Sequence, residues 1–250
     1  MNLDQEIKLA LDVAKKAGMF LSKHQLKLNE TIYSKNKDIK LMADIETEVF
    51  IKDLIGMKSN FPILGEESGA SEKVLGDIYW VIDPLDGTAN FSRNIPISCV
   101  SIALMQKNIP ILGVIYDFNN DELYSGSINH RAKMNDHFIA VSKTLNKEIG
   151  ILATGLPAQT DYSSKRLEKM ITDFQSWKKI RMIGSAAISS IYVASGKVDM
   201  YKEYGIYLWD VAAGAAIVNA SGGEISITNM RKNYQVDAFF SNSNLKNEHN

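Results

Sequence analysis

The chain has little cysteine, little histidine and no surplus of either charge. A single cysteine, Cys99, among 250 residues excludes an internal disulfide framework and any thiolate metal site. Its place in the apolar run from Ile97 to Leu104 reads as a buried strand in a protein of a reducing compartment. The four histidines, His24, His130, His137 and His249, are scattered without a helical i, i+4 pair, which disfavours zinc. Lys and Arg number 28 against 29 Asp and Glu, a net charge of −1, so no global field favours nucleic acid or an anionic membrane, and no direct nucleic-acid binding is expected. No uncharged apolar run is long enough to span a bilayer, and the first residues mix charges into an amphipathic pattern unlike a signal peptide. Cytoplasmic residence is the expectation. Linkers, internal repeats and low-complexity tracts are also missing.

The nucleotide and hydrolase loops are absent as well. There is no G-x-x-x-x-G-K-[ST], no G-x-G-x-x-G and no G-x-S-x-G, which sets aside P-loop, dinucleotide-binding and serine-nucleophile chemistry.

What is present is a globular composition, 45% hydrophobic and 23% charged, with clear periodicities. Leu3, Ile7, Ala10, Leu11, Ala14, Ala17 and Leu21 recur at helical spacing after Asn2 as a possible N-cap, and Ile45, Val49, Ile51 and Leu54 suggest a second helix over 44–57. Phe61 to Gly65 and Ile78 to Ile82 read as strands, the second stopped at Asp83-Pro84, where proline forbids a continuing central strand. Apolar runs at 100–105, 111–116 and 123–125, divided by turn clusters, predict an antiparallel meander. The second half alternates strands at 149–154, 179–183, 198–202 and 238–240 with helices at 162–177, 186–195 and 210–220. Together these predict stacked layers of helix and sheet, an α/β (α+β) sandwich. We read 1–250 as one domain of two lobes, about 1–142 and 143–250, with a frayed polar tail from Asn242 to Asn250.

The chemistry-bearing residues are carboxylates at the ends of apolar elements: Asp44, Glu66 with Glu67, Asp83 with Asp86, and Asp210. Each has a plain structural alternative, for Asp-Pro-x-Asp-Gly is turn-forming, Glu66-Glu67 suits a solvated loop, and Asp210 suits a helix N-cap. Taken together, oxygen donors in loops bounded by buried strands are what hard divalent cations require, and Mg²⁺ fits best. Gly87 lets a ligand approach the backbone, and a helix starting there would offer free N–H groups to an anion. Metal-assisted phosphate ester hydrolysis therefore outranks kinase, dehydrogenase and serine-hydrolase chemistry.

Four segments, Gly65-Glu66-Glu67-Ser68, the run Trp80 to Phe91 (WVIDPLDGTANF), Gly184-Ser185-Ala186-Ala187 and Trp209-Asp210-Val211-Ala212-Ala213-Gly214, resemble the inositol monophosphatase family in order and spacing. The resemblance implies a layered αβαβα sandwich, a homodimer, lithium sensitivity and a site of two to three Mg²⁺ ions. In it Glu66, Asp83 and the Leu85 carbonyl would hold the first ion, with Asp83 bridging. Asp86 and Asp210 would complete the second, and a third would share Glu66 with water beside Glu67. Thr88, supported by Asp44, would orient the attacking water, and the Gly87 and Thr88 N–H groups would hold phosphate. Glu203, with Gly184, Ser185 and Ala186, would line the pocket of a small phosphorylated polyol, inositol 1-phosphate first among candidates. Asp86 and Asp210 would border that substrate too. Relatives with the same metal core act on fructose 1,6-bisphosphate, 3′-phosphoadenosine 5′-phosphate or histidinol phosphate. A second phosphate would prefer Lys or Arg at the Glu203 position, and Lys202 and Arg181 lie near enough in sequence to keep that alternative open. Some bacterial relatives act in transcription complexes, so a regulatory protein-binding role is a further alternative. Two departures stand out. Many members carry a threonine where this chain reads Lys40-Leu41-Met42-Ala43-Asp44; in the expected mobile loop before it, Ser34 to Asp38, Lys35 or Lys37 either reaches the neighbourhood of the third ion or is solvated. The hairpin at 131–141 turns on Asn135-Asp136 in place of the family's Asn-Gly.

Overall fold

The computed structural model describes residues 3–35, 38–156 and 162–245, with backbone alone at 34, 35 and 38. The N-terminal apolar stripe forms α1 (Leu3–Leu28), which buries Ala10, Val13, Ala14, Ala17 and Leu21. A hairpin, β1 (Thr31–Lys35) and β2 (Asp38–Leu41), leads into α2 (Met42–Gly56). Next come β3 (Ile63–Gly65), β4 (Gly69–Ala70) and β5 (Ile78–Asp86), then the short α3 (Thr88–Ser92). The meander follows as β6 (Cys99–Gln106), β7 (Ile109–Asp117), β8 (Glu122–Ser127), β9 (His130–Met134) and β10 (His137–Phe138). These strands make an eight-stranded sheet in the order β10-β9-β8-β7-β6-β5-β3-β4, antiparallel except where β3 joins β5.

The second half alternates β11 (Ile151–Thr154), α4 (Ser164–Gln175), β12 (Lys179–Met182), α5 (Ala186–Ala194), β13 (Met200–Tyr207) and α6 (Leu208–Ala220) before the closing pair β14 (Glu224–Thr228) and β15 (Gln235–Ser241). They give a five-stranded sheet in the order β12-β11-β13-β15-β14, with β11 parallel to both neighbours.

Small residues set how closely these layers approach. Helices α5 and α6 are rich in alanine, buried almost throughout, and sit between the sheets, with α6 touching β6, β7 and β8 on one side and β13, β14 and β15 on the other. A side chain at Gly113 of β7 would place its Cβ 2.1 Å from the Ala213 carbonyl oxygen, so only glycine allows α6 to lie this near the sheet. Helices α1 and α2 cover the outer face of the larger sheet. Helix α4 covers the smaller one through Phe174, which packs with Leu152, Trp177 and Phe239. The order helix, sheet, helix, sheet, helix is the αβαβα sandwich that the family resemblance implied.

Several expectations need correction. Strand β5 does not stop at Asp83-Pro84 but runs through Pro84 to Asp86, because the register against β6 slips between Asp83 and Asp86 and a bulge tolerates proline. Val49, placed in the apolar stripe of α2, is exposed, while Asp44, Thr47, Glu48 and Ile51 form the buried face. The start of the tail is not frayed: Asn242 and Leu245 are buried, and Asn242 Nδ2 donates to Ser142 Oγ and the Thr144 carbonyl. The segment expected as a loop from Ser34 to Asp38 contributes to β1 and β2. The side-chain roles considered for Lys35 and Lys37, and the capping role of Asn2, lie outside the described residues. Asn135 takes a positive φ of 52° between the paired residues Met134 and His137, so this chain's substitute for Asn-Gly does close the hairpin.

Candidate active site

The bulge in β5 makes the site possible. Residues three apart on a regular strand point to opposite faces, yet Asp83 and Asp86 both turn toward one cavity because one extra residue is inserted between them, Asp83 lying opposite Ser101 and Asp86 opposite Cys99. Asp83 Oδ1 accepts from the Leu85 amide at 3.0 Å, which fixes the bulge from within. Gly87 then adopts φ +90°, a left-handed conformation that turns the chain into α3, and a Cβ there would lie 2.7 Å from the Ile97 carbonyl oxygen.

Thr88 opens α3 with its hydroxyl 3.0 Å from both Asp44 Oδ1 and the Leu85 carbonyl oxygen. Its one proton is shared between these acceptors. Asp44 Oδ2 in turn accepts from the Leu41 amide at 2.6 Å, anchoring the carboxylate at the start of α2. Burial raises the Asp44 pKa to about 7, against the lowering effect of its bonds to Leu41 and Thr88.

Helices α5 and α6 bring their N-terminal ends to the same place. Ser185 caps α5 by accepting from the Ile188 amide, and its Oγ donates to Asp86 Oδ2 at 2.5 Å, where the Ala187 amide also donates at 2.7 Å. The Cys99 thiol lies 3.9 Å from the same oxygen. Asp210 stands in the first turn of α6 and accepts from the Tyr207 amide at 3.0 Å. Strand β13 runs directly into α6, which is how Glu203 and Asp210 come to share one cavity.

Glu66 follows β3, and its turn is held by a residue that sequence reasoning missed. The buried Glu48 carboxylate accepts from the amides of Glu67 and Ser68 at 2.8 and 3.0 Å. The signal was available, since Glu48 lies four residues after Asp44 on one helical face. The Glu67 carboxylate pairs with the Lys40 ammonium and does not line the cavity.

The electrostatics favour protons or a cation at these oxygens. Asp83, Asp86 and Asp210 each offer an oxygen, and these atoms lie within 4.8 Å of one another. Burial and mutual repulsion push Glu66, Asp83 and Asp210 well above the usual carboxylate range. Asp86 is raised by burial too, though its bonds to Ser185 and to the amides of α5 work the other way. Among the described residues no Lys or Arg lines the cavity. Buried carboxylates held this close without a counter-charge are unfavourable unless protonated or bound to metal, and an all-oxygen donor set suits a hard divalent ion.

The cavity has a volume of about 250 Å³ and collects Glu66, Asp83, Leu85, Asp86, Gly87, Thr88, Gly184, Ser185, Ala186, Glu203 and Asp210. Asp44 stands behind Thr88, and Glu67, predicted among the metal ligands, pairs with Lys40 at the edge of the site and does not line the cavity. Thr154, Gly155, Leu156, Ser189 and Ile206 complete the wall. None of these five carries a motif, although Thr154 ends the parallel strand β11 and Gly155 and Leu156 follow it, at the strand end where open α/β sheets bind ligands. Glu203 is buried, not solvated. Tyr201 Oη donates to its Oε2 at 2.9 Å, and burial raises the Glu203 pKa to about 7. Lys202 pairs with Asp173 of α4, and Arg181 is exposed and donates to the Ile180 carbonyl, so neither lines the cavity. Asn90 lies in the WVIDPLDGTANF run. Its Nδ2 contacts the carbonyl oxygens of Ile97, Ile183 and Gly184 and ties α3 to the start of α5.

A carboxylate-walled cavity between the sheets of an αβαβα sandwich defines a metal-dependent phosphomonoesterase. The chain belongs to the inositol monophosphatase family, whose profile matches residues 2–247. It is 36% identical over 221 residues to Nus factor SuhB of Pasteurella multocida, covering 87% of this chain and 83% of that protein. Inositol-1-monophosphatase of Synechocystis is 36% identical over 197 residues, 76% of this chain and 67% of that one. The extragenic suppressor protein SuhB from Bartonella henselae superposes with a TM-score of 0.87 at 27% identity, covering 98% of this chain and 96% of its own. Among the described residues no helix is long and apolar enough to cross a membrane.

Proposed function

We propose that this phosphatase hydrolyses the monophosphate ester of a small neutral polyol, inositol 1-phosphate being the best candidate, with Mg²⁺ as its cation. The observation that carries this reading is a wall holding Glu203 and, among the described residues, no Lys or Arg. A carboxylate accepts hydrogen bonds from vicinal hydroxyls but repels a second phosphate, so bisphosphates are poor fits.

Glu66, Asp83, Asp86, Asp210 and the Leu85 carbonyl would hold the divalent ions. Bound there, they supply a nucleophile at neutral pH and stabilise the leaving oxygen of the ester. The protein's own contribution is orientation and proton handling. With its proton directed at Asp44, Thr88 Oγ1 presents a lone pair to the cavity and can receive a proton from attacking water while passing its own to Asp44. The Asp44 carboxylate, 3.0 Å from that hydroxyl, is the acceptor. The Gly87 and Thr88 amides at the head of α3 would hold phosphate oxygens, and Ser185 keeps Asp86 from rotating away.

The test is phosphate release from inositol 1-phosphate, glycerol 2-phosphate, 2′-AMP, histidinol phosphate, fructose 1,6-bisphosphate and 3′-phosphoadenosine 5′-phosphate, with and without Mg²⁺. The polyol monophosphates should show the highest kcat/KM. A preference for either bisphosphate would overturn the assignment of Glu203. Similarity to proteins named Nus factor SuhB supports a second reading, a role in transcription. If that role is independent of catalysis, an Asp83→Asn variant will lose phosphate release yet still associate with the transcription machinery.

A further inference from the structure

Lys40 is a residue to which neither the motifs nor the phosphatase reading gives a task. It lies in β2 opposite Tyr33, and the next residue, Leu41, donates the amide hydrogen bond that fixes Asp44. From this anchored position its side chain crosses to the turn after β3 and pairs with the Glu67 carboxylate. Burial alone would lower the Lys40 pKa, but Glu67, Asp44 and Glu66 outweigh it and raise the pKa, which places the ammonium within the field of three carboxylates of the site. The Glu67 backbone is held independently, its amide bonded to Glu48, so the carboxylate and ammonium meet between two fixed segments.

We propose that the Lys40 ammonium is a tethered cation that occupies the corner beside Glu66 and Glu67 in place of a third divalent ion, so that this chain binds two. The proposal rests on reading the cavity as a divalent-cation centre. The chemistry is straightforward: a lysine ammonium is a compact, strongly hydrated point charge on a flexible stem, able to balance a carboxylate without octahedral oxygen donors. A divalent ion approaching this corner would lose Glu67 as a donor and face the ammonium's positive charge. Among the described residues the remaining carboxylates, Asp83, Asp86 and Asp210, have no Lys or Arg beside them in the cavity, so they are left to the divalent ions.

The experiment counts ions without relying on turnover. Chelator-stripped protein is titrated with Mn²⁺, and bound metal is measured by the loss of the free-ion EPR signal and by calorimetry. Wild type should bind about two ions per chain and Lys40→Met about three, the added one weak, while Lys40→Arg stays at about two. Lys40→Gln is read in parallel, with circular dichroism confirming that each variant is folded. A count of about three in wild type, or an unchanged count in both Lys40→Met and Lys40→Gln, overturns the role of Lys40 and leaves the phosphatase reading standing. No bound Mn²⁺ in wild type overturns both.

Discussion

At Glu203 a carboxylate is buried against the Tyr201 hydroxyl, and its pKa rises from the ordinary 4.5 to about 7. Below pH 4.5 the group is protonated in both the folded and unfolded chain and has no effect on stability. As pH rises toward and through 7, the unfolded chain ionises readily while the folded one must ionise a buried group. Stability is therefore lost over that window, by roughly 3 kcal/mol at its upper end. Glu203→Gln keeps an acceptor for Tyr201 and removes the titration. Denaturant unfolding of metal-free protein should find the variant equal to wild type near pH 4.5 and more stable at pH 8.5, while KM for a polyol monophosphate rises about tenfold or more. A stability difference independent of pH would contradict the burial argument. Asp210 differs because, on the proposed reading, its carboxylate would serve a cation more than the fold. Asp210→Asn preserves an oxygen for the Tyr207 amide yet should lower kcat by about a thousandfold or more. Near wild-type phosphate release at saturating Mg²⁺ would refute its role.

The elements that carry these residues differ in how far sequence foretold them. The stripe of α1, the apolar, alanine-rich stretch of α6 and the runs of β6 and β7 were legible because long apolar patterns are decided locally. The bulge was not: Pro84 reads as a strand terminator, and only pairing with β6 shows that β5 absorbs it and so turns Asp83 and Asp86 to one side. Nor was the support beneath Glu66 recognised, since a lone glutamate on a helix reads as solvated. Glu48 in fact gives α2 a hold on the turn after β3 through two amide bonds. Glu48→Gln can satisfy one of those amides but turns a donor toward the other. The expected result is a loss of about 1–3 kcal/mol in denaturant unfolding and a higher Mg²⁺ concentration for half-maximal activity, on the order of tenfold, with saturated kcat nearly retained. Loss of kcat at saturating Mg²⁺, with an unchanged Mg²⁺ requirement, would place Glu48 in the chemistry itself.

On the scale of the whole molecule, carboxylates from position 44 to position 210 converge where β5, α3, α5 and α6 meet between two sheets. Periodicity cannot foretell such convergence, because it is a property of sheet order and crossover and not of any window of sequence. Family resemblance supplied it for Asp86 and Asp210, and nothing supplied it for Thr154 to Leu156. The convergence affects the fold as well as the chemistry. The Asp44 pKa rises from 3.8 to about 7 on burial, and Glu66, Asp83 and Asp210 rise well above their ordinary values for the same reason together with mutual repulsion. Each shift has the same sign, so metal-free protein loses stability as pH climbs from the unfolded carboxylate range, near 4, through neutrality. Divalent cations compete with protons for the same oxygens, bind more tightly as pH rises, and stabilise the folded state in proportion to occupancy. Thermal melts of chelator-treated protein should therefore give a higher Tm at pH 6 than at pH 8. Added Mg²⁺ should raise Tm at both, with the larger increase at pH 8. Asp83→Asn, which removes the carboxylate that interacts with Glu66, Asp86 and Asp210 alike, should raise the metal-free Tm at pH 8 and remove most of the Mg²⁺ increase. A metal-free Tm that climbs from pH 6 to pH 8, or a Mg²⁺ effect that survives in Asp83→Asn, would mean that these carboxylates are not the charge that the cation balances.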